Sequence, residues 1–322
     1  ETDDVVFTFN DLVYNPDKAT NLFKDTKKII LKVFFLYSFF TGIIFILFSF
    51  SGIRLFNSLN LAMTVSSAGA FLPTNSLSDI VKNTSQEIIL ILGLTFSALN
   101  IYLIYSLFTN FNKIKKHYED FMIIGGILIS SLILFFSIGQ ISFLEIFLNV
   151  VSSISNSGIS SYDPPKNFYL FFLFLTIIGG SLISNSAGIK LIRIYILCKS
   201  TILELFKLVT PNTIIDHRIM NTEFKINSTN LNSSFLIFIC FFVSIFVLSS
   251  ILSAGNLDFE NSFKLAILTI TNTVNSSLYG LDEIDFLSLL TSSKVAIILF
   301  MVLGKIELLS ILLIIRKVFS RN

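Results

Sequence analysis

Three short apolar stretches, Leu61 to Phe71, Val150 to Ser161 and Leu268 to Gly280, are each too brief to cross a bilayer and each runs into a turn of small residues. Long apolar segments bracket every one of them. This rhythm of span, half-span with turn, and span confines the chain to a few folds, because backbone that leaves the helix at membrane depth must face protein or water. The turns read TVSSAGAF, SISNSGIS and TITNTVNSSLYG. Turns of this kind, re-entering from one side, are how a membrane protein presents main-chain oxygens to an ion.

Composition agrees with a lipid solvent. Of 322 residues 53% are hydrophobic, with 36 Phe and no Trp, which is too much apolar surface for water to accommodate. The reading is an all-α integral membrane protein. A net charge of +2 points to no nucleic-acid partner, and the Lys residues read as topology signals. Cys198 and Cys240 lie far apart in apolar stretches without a CxxC companion, so they read as packing residues rather than a disulfide or zinc site. His117 and His217 flank basic residues outside the spans, where a solvated surface role is expected. No nucleophile triad, HExxH or phosphate loop stands out, so an enzyme and a resident cofactor are not expected. The N-terminal ETDDVVFTFND lacks a basic segment ahead of an apolar core, unlike a signal peptide, and the chain reads as a piece of a longer one.

Residues 1–28 are polar and read as a cytoplasmic linker. A first unit, 29–118, has a span from Ile29 to Phe50, a half-span, and a crossing from Glu87 to Phe108. The second, 119–215, has a span from Phe121 to Gln140, a half-span from Phe143, and a crossing beginning near Phe168. The third, 216–322, has a span from Phe235 to Ala254, a half-span from Phe259, and a crossing from Ser293 to Ile315. Three copies of one supersecondary unit make a repeat architecture of membrane helix, pore helix and membrane helix around a pseudo-symmetric pore.

Charge sorts by side. Lys24, Lys27, Lys28, Lys113, Lys115, Lys116, Lys199, Lys207, Arg218, Arg316, Lys317 and Arg321 fall on the side that should be cytoplasmic. Asp79, Asp163, Asp258, Glu260, Asp282, Glu283 and Asp285 fall on the other, where an acidic mouth would concentrate cations.

A dehydrated cation needs oxygen ligands, and rings of carbonyls supply them without net charge. The turn that aims them needs a bend with positive φ, which Gly tolerates best and Asn next. Gly69 and Gly158 stand at the expected bends, with Asn275 at the comparable place in the third unit. Ser66, Ser67, Ala68, Ser155, Asn156 and Ser157 are small enough to let backbones approach, although small residues also mark plain helix contacts.

At these residues the chain resembles the Trk/Ktr/HKT superfamily of potassium uptake proteins, and its Trk membrane subunit most closely. TVSSAGAFLPT is similar to that family's filter consensus, and VVSSISNSGISSYD to its third filter. IIGGSLISNSAGIKLIRIYIL with ELFKLVTPN, from Ile177 to Asn212, resembles the broken inner helix of the third repeat. MVLGKIELLSILLI, from Met301, resembles the C-terminal helix.

The resemblance implies potassium uptake, with sodium a second permeant ion, in a bacterial plasma (inner) membrane. It identifies the three units as the family's second, third and fourth, the first repeat being absent from this stretch of chain. Ser67, Ala68, Gly69, Asn156, Ser157, Gly158, Val274 and Asn275 would form the filter. Ser184, Asn185, Ser186, Ala187 and Gly188 would form an obstructing intramembrane loop, with Lys305 as the positive barrier beneath the filter. That loop is Gly-rich in the family, Lys305 replaces an Arg, and Asn275 replaces a Gly, so gating and selectivity would differ. A homodimer in the lipid bilayer and a cytoplasmic ring of nucleotide-binding regulatory subunits of the Trk/Ktr type are the implied partners. A non-conducting structural subunit and a secondary transporter with broken helices and inverted repeats are the alternatives. For the Ser184–Gly188 stretch a kinked but continuous helix is the alternative to a loop.

Overall fold

The computed structural model describes residues 19–69, 71–74, 77–103, 106, 117–139, 141–210, 226, 228–273, 277–281, 284, 286 and 289–305. Among them are ten α-helices and no strand. In chain order they are α1 (Ala19–Phe50), α2 (Leu55–Ser66), α3 (Thr84–Ala98), α4 (Tyr118–Ile138), α5 (Phe143–Ile154), α6 (Tyr169–Ile178), α7 (Leu191–Val209), α8 (Ser228–Ala254), α9 (Phe259–Ile270) and α10 (Thr291–Lys305).

Three helices carry stretches long and apolar enough to cross a membrane: Val33–Phe50 in α1, Tyr118–Ile138, and Asn230–Ala254 in α8. Their outward faces are rich in exposed Phe, among them Phe34, Phe35, Phe136 and Phe246, as a lipid-facing surface requires. The half-spans α2, α5 and α9 are each 12 residues. At 1.5 Å per residue that is about 18 Å, little more than half a hydrocarbon core.

Packing repeats along the chain. In each unit the long helix packs on the half-helix and the half-helix on the inner helix: α1 on α2 and α2 on α3, α4 on α5 and α5 on α6, α8 on α9 and α9 on α10. Between units, α3 packs on α5, and α6 on α9. The second joint copies the first, as rotation about one axis produces and inversion does not. The half-helices sit deepest, with Leu61, Ile146, Leu148, Val150, Leu265 and Ala266 in a shared core.

Local chemistry sets the joints. Gln86 is buried at the start of α3, where its side-chain oxygen accepts the Lys82 N–H at 2.7 Å and its amide donates to the Ser51 carbonyl at 3.0 Å. One side chain thus ties the inner helix to the end of α1.

Two inner crossings are broken, the first against the expectation of a single helix and the second in line with the expected broken helix. α3 stops at Ala98, and Leu99 is extended (φ −88°, ψ 165°) before helix resumes at Ile101. The second unit's crossing stops at Ile178 and resumes only at Leu191. The kinked continuous helix is therefore not what forms. Broken helix ends bare carbonyls, which the membrane cannot solvate. Here loop N–H groups fill them. Ile189 and Lys190 donate back to the carbonyls of Ile177 and Ile178 at 2.9 and 3.0 Å, while Ser181 and Asn185 donate across to Ala98 and Ser97 at 2.9 and 3.2 Å. Such close approach needs bare Cα atoms: a Cβ on Gly179 would lie 2.2 Å from the Ala187 carbonyl oxygen, and one on Gly180 2.2 Å from that of Ala98.

Two side-chain expectations are corrected. His117 is buried rather than solvated, with its Nδ1 3.0 Å from the Asp120 carboxylate. Cys198 is exposed rather than packed.

A candidate ion pathway below three half-helix turns

Each half-helix ends in the same way. Ser67, Ser155 and Thr271 are C-caps near φ −80°, and the next residue is left-handed: Ala68 (φ 50°), Asn156 (φ 61°) and Asn272 (φ 52°). The N–H of the left-handed residue bonds three residues back, to Val65, Ser153 or Thr269. The following N–H bonds five back, Gly69 to Thr64 at 2.9 Å, Ser157 to Ser152 at 3.0 Å, Thr273 to Leu268 at 2.9 Å. This paired pattern is a Schellman motif, formed three times in one register.

The register revises the sequence alignment. Positive φ in the first turn belongs to Ala68, not Gly69, and Gly69 stands opposite Ser157 and Thr273. Gly158 has the expected positive φ of 76°. Counting one residue on, its counterparts in sequence are Ala70 and Val274, so Asn275 is displaced by one from the place compared with it. Ala70, Val274 and Asn275 lie outside the described residues.

The left-handed Asn residues were missed as structural anchors. The Asn156 amide donates to the Thr176 carbonyl of α6 at 2.8 Å, and that of Asn272 to the Met301 carbonyl of α10 at 2.9 Å. Each fastens its turn to its own unit's inner helix. Ala68 has no such arm, and Asn185 supplies one from the loop by donating to the Ser66 carbonyl. The signal was available in sequence: Asn at a half-helix end, where positive φ is tolerated.

Neighbouring turns also touch. Asn156 reaches Thr273 Oγ1 at 3.4 Å, and the Ser160 and Ser277 hydroxyls are 3.3 Å apart. Against the first turn is a cavity of about 290 Å³, lined by Ser67 and Tyr37, by Leu182, Ser184 to Gly188 and Lys190 of the loop, and by Gly304 and Lys305. The Lys305 Nζ donates to the carbonyls of Asn185 at 3.1 Å and Ser67 at 3.4 Å. The expected loop residues Ser184, Asn185, Ser186, Ala187 and Gly188 are thus brought against Lys305 on one cavity. Lys190 braces the loop from within, its Nζ donating to Ser184 Oγ at 3.1 Å and to the Ser186 carbonyl. Among the described residues no cluster of side chains suits a bound metal.

Of the acidic residues expected on the outer side, Asp79, Asp163, Asp258 and Glu260 are exposed. Glu260 pairs with Lys264 at 2.5 Å, and that ammonium lies 5.4 Å from the Tyr169 ring centre. Asp282, Glu283 and Asp285 lie outside the described residues.

This arrangement has a solved counterpart. The crystal structure of the potassium transporter TrkH from Vibrio parahaemolyticus matches with a TM-score of 0.79, over 90% of this chain and 64% of that one, at 19% identity. The chain has the TrkH fold. At that identity the likeness is one of fold. An uncharacterized cation transporter of Methanocaldococcus jannaschii is 22% identical over 299 residues, which are 90% of this chain and 60% of the relative. No protein-family model matches. The chain spans about three-fifths of the length of these proteins, and its TrkH fold with its three long apolar helices makes it a membrane protein.

Proposed function

We propose that this chain forms three repeats of a pathway for potassium uptake, with sodium as a second permeant ion. One observation carries the reading: three Schellman turns share one register, and on one cavity an ammonium group meets main-chain oxygens of both the first of those turns and the broken-helix loop. Carbonyls that accept from Lys305 are of the kind that replace a potassium ion's water, and the lysine charge would repel a cation from the space below. In this reading Ser67, Ala68, Gly69, Asn156, Ser157, Gly158, Val274 and Asn275 line the filter, and Ser184 to Gly188 with Lys305 obstruct its inner side. The names of the similar proteins, a potassium transporter and a cation transporter, support it.

The same resemblance extends the proposal to a homodimer in a bacterial inner membrane, regulated by a cytoplasmic nucleotide-binding ring. The test is rubidium and sodium flux into liposomes containing the full-length protein. Rubidium entry exceeding sodium entry is expected. Absence of both fluxes, with the protein inserted and folded, would sink the reading and favour a structural subunit.

A further inference from the structure

Adjacent carboxylates at the start of α4 serve two different helix breaks. Glu119 is buried and accepts from the Leu182 N–H at 3.0 Å, the Ile192 N–H at 3.3 Å and the Ser181 hydroxyl at 3.1 Å. Those donors stand at the two ends of the intramembrane loop, so one carboxylate closes its neck. Asp120, also buried, accepts the Asn100 N–H at 2.9 Å, and the Asn100 side chain in turn accepts from the Tyr102 N–H at 2.9 Å. That is the break in α3. His117 holds the other Asp120 oxygen.

The two breaks are themselves joined. Ser181 and Asn185 donate to carbonyls at the end of α3, and Ile101 donates to the Ile183 carbonyl at 3.0 Å. Loop, α3 break and α4 start thus form one closed hydrogen-bonded circuit. A hydrogen bond to an ionised carboxylate is charge-assisted and stronger than its neutral equivalent.

We propose that Glu119 and Asp120 are a positioning pair that sets how firmly the loop stays seated against Lys305. Neither touches the expected filter residues. Glu119 acts on the loop directly, and Asp120 acts through the α3 break on which the loop leans. α4 begins just beyond the basic segment at Lys113, Lys115 and Lys116, so a rotation of its first turn would reach both breaks at once. The inference rests on the proposed function for its consequence, but not for its geometry.

The test reads loop seating without ion flux. In the full-length protein with other cysteines replaced, Ala187→Cys puts a thiol at the buried loop residue that lines the cavity, and its reaction with a water-soluble methanethiosulfonate is timed. Glu119→Ala removes all three bonds and should speed that reaction by about tenfold or more, since the loss of even one such bond from an opening equilibrium suffices for that shift. Glu119→Gln, which keeps an oxygen for Leu182 and Ile192, should speed it less. Asp120→Ala should also speed it, though it touches no loop residue, and Glu119→Ala with Asp120→Ala together should give less than the product of the single effects. Unchanged rates in both Glu119 variants, or in Asp120→Ala, would overturn the pairing. Rates that shift as expected while rubidium flux is absent in every variant would uphold the pairing and sink the proposed function alone.

Discussion

The Lys305 ammonium donates to the Asn185 carbonyl at 3.1 Å, joining the last helix of the third unit to the broken helix of the second. The Asn185 side chain meanwhile donates to the Ser66 carbonyl in the first unit. A single loop residue therefore touches all three units. The bonds to Lys305 and to Ser66 run through different groups, so they can be cut separately.

Lys305→Met removes the donor and the charge while keeping an unbranched apolar stem. We expect rubidium flux through the full-length protein to rise several-fold, since a charge-assisted bond contributes about 1.5–3 kcal/mol. Lys305→Arg keeps the charge and should raise flux far less than Lys305→Met. Flux measured in liposomes decides it, and unchanged or reduced flux in Lys305→Met would remove the barrier role.

Gly304 lies where α10 crosses the end of α9, and a Cβ there would come 2.0 Å from the Ile270 carbonyl oxygen. Backbone cannot retreat as a flexible side chain can. Gly304→Ala is expected to lower thermal stability in detergent by an amount equivalent to about 2 kcal/mol or more. Gly42→Ala, where nothing lies within 4 Å, is the control and should be neutral or slightly stabilising.

The left-handed turn residues give a graded series. Asn272→Ala loses the bond to the Met301 carbonyl, about 1 kcal/mol, and places a less tolerant residue at positive φ, about 1 kcal/mol more. Asn272→Gly should lose only the first of these. Ala68→Gly reverses the sign: relief of about 1–2 kcal/mol of strain exceeds the roughly 0.8 kcal/mol for one buried methyl. Unfolding midpoints in one detergent should therefore rank Ala68→Gly at or above wild type, then Asn272→Gly, then Asn272→Ala.

Much of the fold was legible because half-spans announce themselves by length. A short, partly apolar stretch followed by small residues cannot span, so α2, α5 and α9, of twelve residues each, were recognisable from the sequence. The break after Ile178 was also signalled, by Gly179 and Gly180 and by the polar run behind them. The break at Leu99 was not. FSALNIYL contains neither Gly nor Pro, and what ends α3 is a set of partners from distant sequence: Asp120 for the Asn100 N–H, Ser181 and Asn185 for the freed carbonyls. His117 misled for the same reason, since its basic neighbours suggested water while the Asp120 that buries it acts through folding. The first half-helix turn misled through proximity. Gly69 has the permissive backbone, yet the helix end falls one residue earlier and gives the left-handed place to Ala68.

The amides of Ser181, Asn185, Ile189 and Lys190 occupy the carbonyls left open where α3 and α6 end. If the loop withdraws, those oxygens lie bare at membrane depth, and only water can take up the vacated places. On the proposed function, displacement of the segment would therefore bring water with it, and a permeating ion would enter a conduit that its own opening has wetted.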